Sequence, residues 1–214
     1  MRSPAASRTA CLVLALAAAC AGVRADANPL DRFLEGLRSF QASFSQTVTD
    51  GHGHTVSEST GTLIVRRPGR FRWEIHTKGE SGAGQLVVDD GRNLWYYDRD
   101  LQQVTVKPAG AALSATPALL LSEANTLGEF NVQAAAASSG LEWVRVTPKA
   151  SDADFTEALL GFAGNELRRM ILKDKLGQTA TLDFERSERN VAVATSEVSF
   201  IPPAGADVIG TPEQ

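Results

Sequence analysis

The chain has 214 residues, enough for one domain with a sizeable core, and 43% of them are hydrophobic, which excludes a disordered polypeptide. Its formal charge is −4, and an N-terminal leader hides part of the acidity: the leader holds three of the 21 basic residues (Arg2, Arg8, Arg24) and none of the 25 acidic ones, so the rest carries 18 minus 25, or −7. That balance argues against nucleic acid as a partner.

Residues 1–25 read as a secretory signal peptide. Arg2 and Arg8 precede an apolar run from Cys11 to Ala21 that is too short to span a bilayer comfortably, and Val23-Arg24-Ala25 places small residues at the cleavage positions. Ala25-Asp26-Ala27 offers a second cleavage site, and Leu16 to Cys20 competes as an imperfect lipobox with Ala17 where a larger aliphatic is usual. Both cysteines, Cys11 and Cys20, lie in this leader, so cleavage after Ala25 leaves no thiol for a disulfide or a metal. No later segment is long and apolar enough to cross a membrane. Residues 26–214 are expected to form a single domain in an exported compartment.

Asn28-Pro29 opens a helix, with Asn as cap and Pro at the first helical position, and Leu30, Phe33, Leu34 and Leu37 follow at helical spacing. The period then changes to two: Phe40, Ala42, Phe44 and Val48 alternate with polar residues, Asp50 to His54 makes a hairpin loop, and a second strand runs from about Thr55 to Arg66. Pro68-Gly69 turns the chain into a strand from Phe71 to His76. Short strands follow at Gln85 to Val88, Leu94 to Tyr97 and Leu101 to Val106. Between Pro108 and Gly128 the leucines Leu113, Leu119, Leu120, Leu121 and Leu127 predict one or two short helices, with Ser114 or Thr116 as a cap and Pro117 early in a helix. Strands resume at Phe130 to Ala136, Leu141 to Thr147, Phe155 to Phe162, Leu167 to Lys173 and Thr179 to Glu185, and a last one is expected at Glu197 to Ile201, before Pro202-Pro203. The pattern predicts about eleven strands in a strongly curved antiparallel sheet, with two or three helices against its concave side.

Catalytic chemistry is hard to assemble from these residues. His52 and His54 share a glycine-rich loop, His76 ends a strand, and no cysteine or carboxylate stands at ligand spacing for a metal. Gly79 to Ala83 falls one residue short of a nucleophile elbow, and Gly82 to Val87 lacks the third glycine and following helix of a dinucleotide site. Asp89 and Asp90 precede a glycine and suit a turn better than paired acid–base work. No cofactor, metal or catalytic residue is expected.

One residue breaks the alternation. Arg67 stands in line with Leu63 and Val65, so its guanidinium must either reach water past the sheet edge or find acceptors inside, for which the unpaired carbonyls at the ends of short helices are candidates.

Taken in order, Ser39 to Gln46, Arg67-Pro68 with Phe71 and Trp73, Asp90-Gly91 with Leu94 to Tyr97, Thr116 to Leu120, Thr147 to Ala150 and Phe200 to Gly205 resemble the LolA family of periplasmic lipoprotein carriers. The resemblance implies a mainly β fold with a helical lid: an open, incomplete antiparallel β-barrel of about eleven strands enclosing a hydrophobic cavity covered by α-helices. It implies that Arg67 latches the lid near Leu121 and Ser122 when no lipid is bound. Alternation and resemblance together nominate Phe44, Leu63, Phe71, Trp73, Ile75, Leu86, Val88 and Tyr96 as cavity residues, with Leu119, Leu120 and Leu121 from the lid. The partners implied are acylated lipoproteins, an inner-membrane lipoprotein-releasing ABC transporter and an outer-membrane acceptor, with the carrier a monomer in the periplasm; Gly69-Arg70 departs from the family pattern, and Arg70 and Arg72 read either as solvated strand charge or as residues that dock that transporter. The rival readings are a LolB-like outer-membrane acceptor anchored through Cys20 and a lipid hydrolase, for which no nucleophile and base are found.

Overall fold

A computed structural model describes residues 28–79, 84–109, 118–123, 126–151, 153 and 155–213. The leader, the Thr116-Pro117 helix start and most of the Gly79 to Ala83 loop lie outside the described residues.

The first element, α1 (Pro29–Leu34), is a single amphipathic stretch whose Asn28 side chain accepts the N–H of Asp31 at 3.0 Å. Leu30, Phe33 and Leu34 are buried, and Leu37 reaches the same core from beyond the helix end. Six strands follow: β1 (Ser39–Thr49), β2 (Thr55–Arg66), β3 (Arg70–Thr77), β4 (Gly84–Asp89), β5 (Asn93–Asp98) and β6 (Gln103–Pro108). After α2 (Ala118–Ser122) and a 3-10 turn at Thr126–Glu129 come β7 (Phe130–Ser138), β8 (Leu141–Pro148), β9 (Phe155–Ala163), β10 (Glu166–Asp174) and β11 (Thr179–Arg189).

These strands form one open sheet in the order β12-β6-β5-β4-β3-β2-β1-β11-β10-β9-β8-β7, where β12 is Asp207–Ile209. Two antiparallel meanders are joined by the β1–β11 pairing, in which Phe44 stands opposite Phe184. The expectation of about eleven antiparallel strands is corrected at the C-terminus: the described sheet has twelve strands and is mixed, because β12 runs parallel to β6. The expected strand at Glu197 to Ile201 is instead a 3-10 turn, Thr195–Val198, followed by extended chain. Pro202 and Pro203 have no N–H to give a ladder, and Phe200 is engaged through its ring, tilted against Trp95 and Tyr97 at centroid distances of 5.6 and 5.8 Å.

Both helices pack on one face of the sheet. Phe33 of α1 touches Phe40 of β1 edge-on at 5.4 Å and Phe162 of β9 at 5.6 Å, so the two meanders curve toward each other beneath the helix. Leu119, Leu120 and Leu121 of α2 are buried against β2 and β3. A five-residue helix has too few internal hydrogen bonds to be stable alone, so its existence depends on this burial and on whatever holds its ends.

The other face carries a second cluster, Leu86, Val88, Trp95, Val104 and Val106, covered by Phe200 and Ala206 of the C-terminal segment. Asn93 ties this segment down: its Nδ2 donates to Glu213 O at 3.0 Å and its Oδ1 accepts from Glu213 N at 2.7 Å.

Candidate functional site

The side chain of Arg67 turns inward beneath both helices. Its Nε donates to the carbonyl of Leu121 at 2.8 Å and its Nη1 to that of Leu34 at 3.4 Å, so one guanidinium joins the C-terminal ends of α2 and α1. These carbonyls are among those a helix end leaves unpaired, and bonds from a charged donor to them are among the stronger hydrogen bonds. The next turn adds a backbone contact: Gly69, at φ +66°, donates its N–H to the carbonyl of Ser122 at 3.0 Å. Ser122 does not bond Arg67; its hydroxyl donates to Leu119 O at 3.3 Å. Burial lowers the pKa of Arg67, an effect opposed by the nearby Glu123 carboxylate. Arg67, Pro68, Gly69, Arg70, Gly91 and Glu123 line a cleft of about 420 Å³ at this edge, together with Arg66.

Among the described residues the end of α1 has anchors beyond Arg67. Besides the long bond from Arg67, the end of α1 is fixed by Arg189, whose Nη2 donates to Phe33 O at 2.6 Å and to Glu35 O at 3.0 Å, with its guanidinium 5.2 Å from the Phe33 ring centre. Asn190 adds two more bonds, accepting from Arg38 N at 2.7 Å and donating to Gly36 O at 3.1 Å. The end of α2 rests on the Arg67 hairpin, through Leu121 and Ser122. Arg189 and Asn190 escape sequence reasoning because they close the last residues of a strand pattern, where a charged residue reads as solvated.

Phe44, Leu63, Phe71, Trp73, Leu119, Leu120 and Leu121 lie together in the core cluster beneath the helices, with Ile75 and Tyr96 packed at its margin. Leu86 and Val88 do not join them. In the register Val87 stands between Trp73 and Tyr96, whereas Val88 stands between Arg72 and Trp95, so the expected inward face of β4 is inverted: Val87 points to the helices, and Leu86 and Val88 to the C-terminal segment. The stretch Leu86-Val87-Val88 is apolar at adjacent positions because both faces of β4 are covered, which removes the alternation that would mark the inner one. Arg72, proposed to serve docking, lies on that outer face with its Nε 3.2 Å from Glu74.

Asp89, which shares the inner face with Phe71 and Leu94, is 3% exposed. Its carboxyl accepts the N–H of Gly91 at 2.8 Å, and its pKa is pushed up to about 6, first by burial and then by the carboxylates of Asp90 and Glu123, against the opposing Gly91 bond and Arg70. A raised carboxyl pKa means that the folded state holds the proton to higher pH than the unfolded chain, so this group disfavours folding increasingly between pH 4 and 6 and fully above that. Asp89→Asn is therefore expected to add about 2 kcal/mol of stability at pH 7.5 and almost none at pH 4, measured by urea unfolding at both values. A gain equal at the two pH values would contradict the assignment.

The histidine loop is a turn organised by Asp50, which accepts the N–H groups of His52 and His54 at 2.9 Å each. Among the described residues no group of three or more His, Cys, Asp or Glu could hold a metal ion. Asp90 similarly organises its hairpin, accepting from Arg92 N, Asn93 N and Trp95 Nε1 at 2.8–2.9 Å.

The sequence pattern of the family described as "Outer membrane lipoprotein carrier protein LolA" matches residues 35–200. An outer-membrane lipoprotein carrier protein of Dechloromonas aromatica is 44% identical over 184 residues, covering 86% of each chain, and one of Methylobacillus flagellatus is 40% identical over 190 residues, covering 88% of this chain and 91% of its own. Among solved structures, a LolA superfamily protein from Nitrosomonas europaea superposes with a TM-score of 0.47 at 13% identity, over 80% of this chain and 96% of that one. By its sequence match over most of its length, the chain belongs to the LolA family of outer-membrane lipoprotein carrier proteins.

Proposed function

We propose that this protein is a periplasmic carrier that shields the acyl chains of lipoproteins beneath a movable helical lid. The observation that carries the reading is the bond from Arg67 to the carbonyl of Leu121, which holds a five-residue helix over an apolar sheet face. In this reading the curved sheet is an incomplete barrel, and α2 moves off Leu63, Phe71 and Trp73 when lipid enters. Among the described residues, the end of α1 is also secured by Arg189 and Asn190, which favours α2 as the helix that moves. Residues 1–25 are the signal peptide and residues 26–214 the carrier domain, a monomer that receives cargo from an inner-membrane ABC transporter and delivers it to an outer-membrane acceptor. The protein transports and does not catalyse.

The energetics suit such a role. Burial of one 16-carbon acyl chain is worth on the order of 12 kcal/mol, and several chains would bind almost irreversibly. A ligand-free state stabilised by lid bonds lowers net affinity by the cost of opening, which makes release feasible.

The protein isolated from its own cell envelope under native conditions is expected to carry a bound acylated lipoprotein by intact mass, and to begin at Asp26 or Asn28 after denaturation. A chain beginning at a lipid-modified Cys20 would establish an anchored acceptor instead.

A further inference from the structure

The three tryptophans of the chain differ in the use of their indole N–H groups. Trp95 Nε1 donates to Asp90 Oδ2 at 2.8 Å and Trp143 Nε1 to Ser138 O at 3.2 Å, whereas Trp73 Nε1 is buried with no acceptor among the described residues. The hydroxyl of Ser59 is buried without a partner as well. Trp73 is 6% exposed and Ser59 7%. Buried donors in native proteins are nearly always paired, so one left without an acceptor calls for a partner.

Both groups belong to the face covered by α2. Trp73 pairs with Leu63, Ile75 with Gly61 and Thr77 with Ser59, so alternation along β2 and β3 keeps Ser59 and Trp73 on one side. Their levels are separated by four residues, about 13 Å along the strand. Between them the ring of Phe44 lies against Gly61, where a Cβ would meet Phe44 Cζ at 2.4 Å. Polarity changes along this face: toward Arg67 the neighbours are Val65, Phe71 and Leu94, and toward Ser59 a cleft of about 190 Å³ is lined by Gln46, Ser57, Thr77 and Gln85 among others.

We infer that Trp73 Nε1–H and Ser59 Oγ–H donate to the ester carbonyl oxygens of the acyl linkages of the cargo, with the hydrocarbon tails toward the Arg67 end and the polar stem in the Ser59 cleft. This rests on the carrier reading and adds to it a polar recognition element. Acyl tails offer no acceptor, so a purely apolar face would grip them at any depth. An ester carbonyl has acceptor lone pairs and no donor on its oxygen, which matches two donors lacking acceptors.

The test compares two synthetic peptides, one with an N-terminal tripalmitoylated glyceryl-cysteine and one in which ether links replace both glyceryl esters. Wild type is expected to bind the ester peptide about a hundredfold more tightly, about tenfold for each of the two hydrogen bonds to buried donors. Trp73→Phe should narrow the preference for the ester over the ether peptide about tenfold, and Ser59→Ala should narrow it by a similar factor. In ¹⁵N spectra of wild type the Trp73 indole signal should move downfield with the ester peptide only, while the signals of Trp95 and Trp143 report an intact fold in each variant. Equal losses for both peptides, or an unmoved Trp73 signal, would overturn this inference while leaving the carrier standing. If wild type bound neither peptide, the carrier reading would itself fail.

Discussion

Arg67→Leu is expected to produce a carrier that loads cargo and fails to release it. The substitution removes the charged donor from Leu121 O and Leu34 O, and hydrogen bonds to charged groups contribute about 1.5–3 kcal/mol each to stability. Leucine recovers part of this, because it no longer requires a guanidinium to be buried. A net loss of about 2 kcal/mol in the closed state corresponds to roughly 30-fold tighter retention, since cargo then competes with a less stable ligand-free form. The variant should unfold at lower urea concentration without lipid, recover stability when loaded, and deliver cargo to an outer-membrane acceptor at least tenfold more slowly. Transfer at the wild-type rate would contradict the latch.

Phe44→Ala should give the largest loss of stability. Phe44 is 2% exposed and meets Trp73 and Phe184 edge-on at 6.0 and 6.2 Å, so it joins β3 to β11 across β1. Truncating a buried phenylalanine costs about 3–5 kcal/mol when the surroundings cannot collapse into the space. They cannot collapse readily here, because the ring lies against Gly61, where an added Cβ would also stand 2.2 Å from the carbonyl of Glu74. The midpoint of chemical unfolding measures the effect. A loss below about 1.5 kcal/mol would mean that the closed face has slack, and that lipid could enter without displacing α2.

The sequence made the strands legible because most of the sheet has one buried face, so period-two alternation from Phe40 to Val48 or Phe71 to Ile75 survives in the residues. It failed where both faces are covered. At Leu86-Val87-Val88 the C-terminal segment buries what would otherwise be the polar side, and no local signal reveals that a segment more than a hundred residues later lies there. The last strand expected from the pattern is a 3-10 turn for a related reason: Phe200 looks like a strand residue, but its ring serves as a cover for Trp95 and Tyr97.

The site was legible in part. The anomaly of Arg67 could be read from alternation, and family resemblance placed its partner near Leu121. The end of α1 was not legible, since nothing in Arg189-Asn190 distinguishes residues that hold a helix from residues that face water. Trp73 was nominated for its apolar bulk, and its unpaired N–H becomes visible only when the acceptors of Trp95 and Trp143 are known.

The central claim is that cargo displaces α2 from the Arg67 hairpin while α1 stays in place. Amide hydrogen exchange of the ligand-free and lipoprotein-loaded protein tests it most directly, read at Gly69, whose N–H is bonded to Ser122 O, at Glu123, bonded to Leu119 O, and at Glu35, bonded to Asp31 O. Loading is predicted to accelerate exchange at Gly69 and Glu123 and to leave Glu35 unchanged. Protection retained at Gly69 and Glu123 with lipid bound would show that the lid does not open, and would contradict the account.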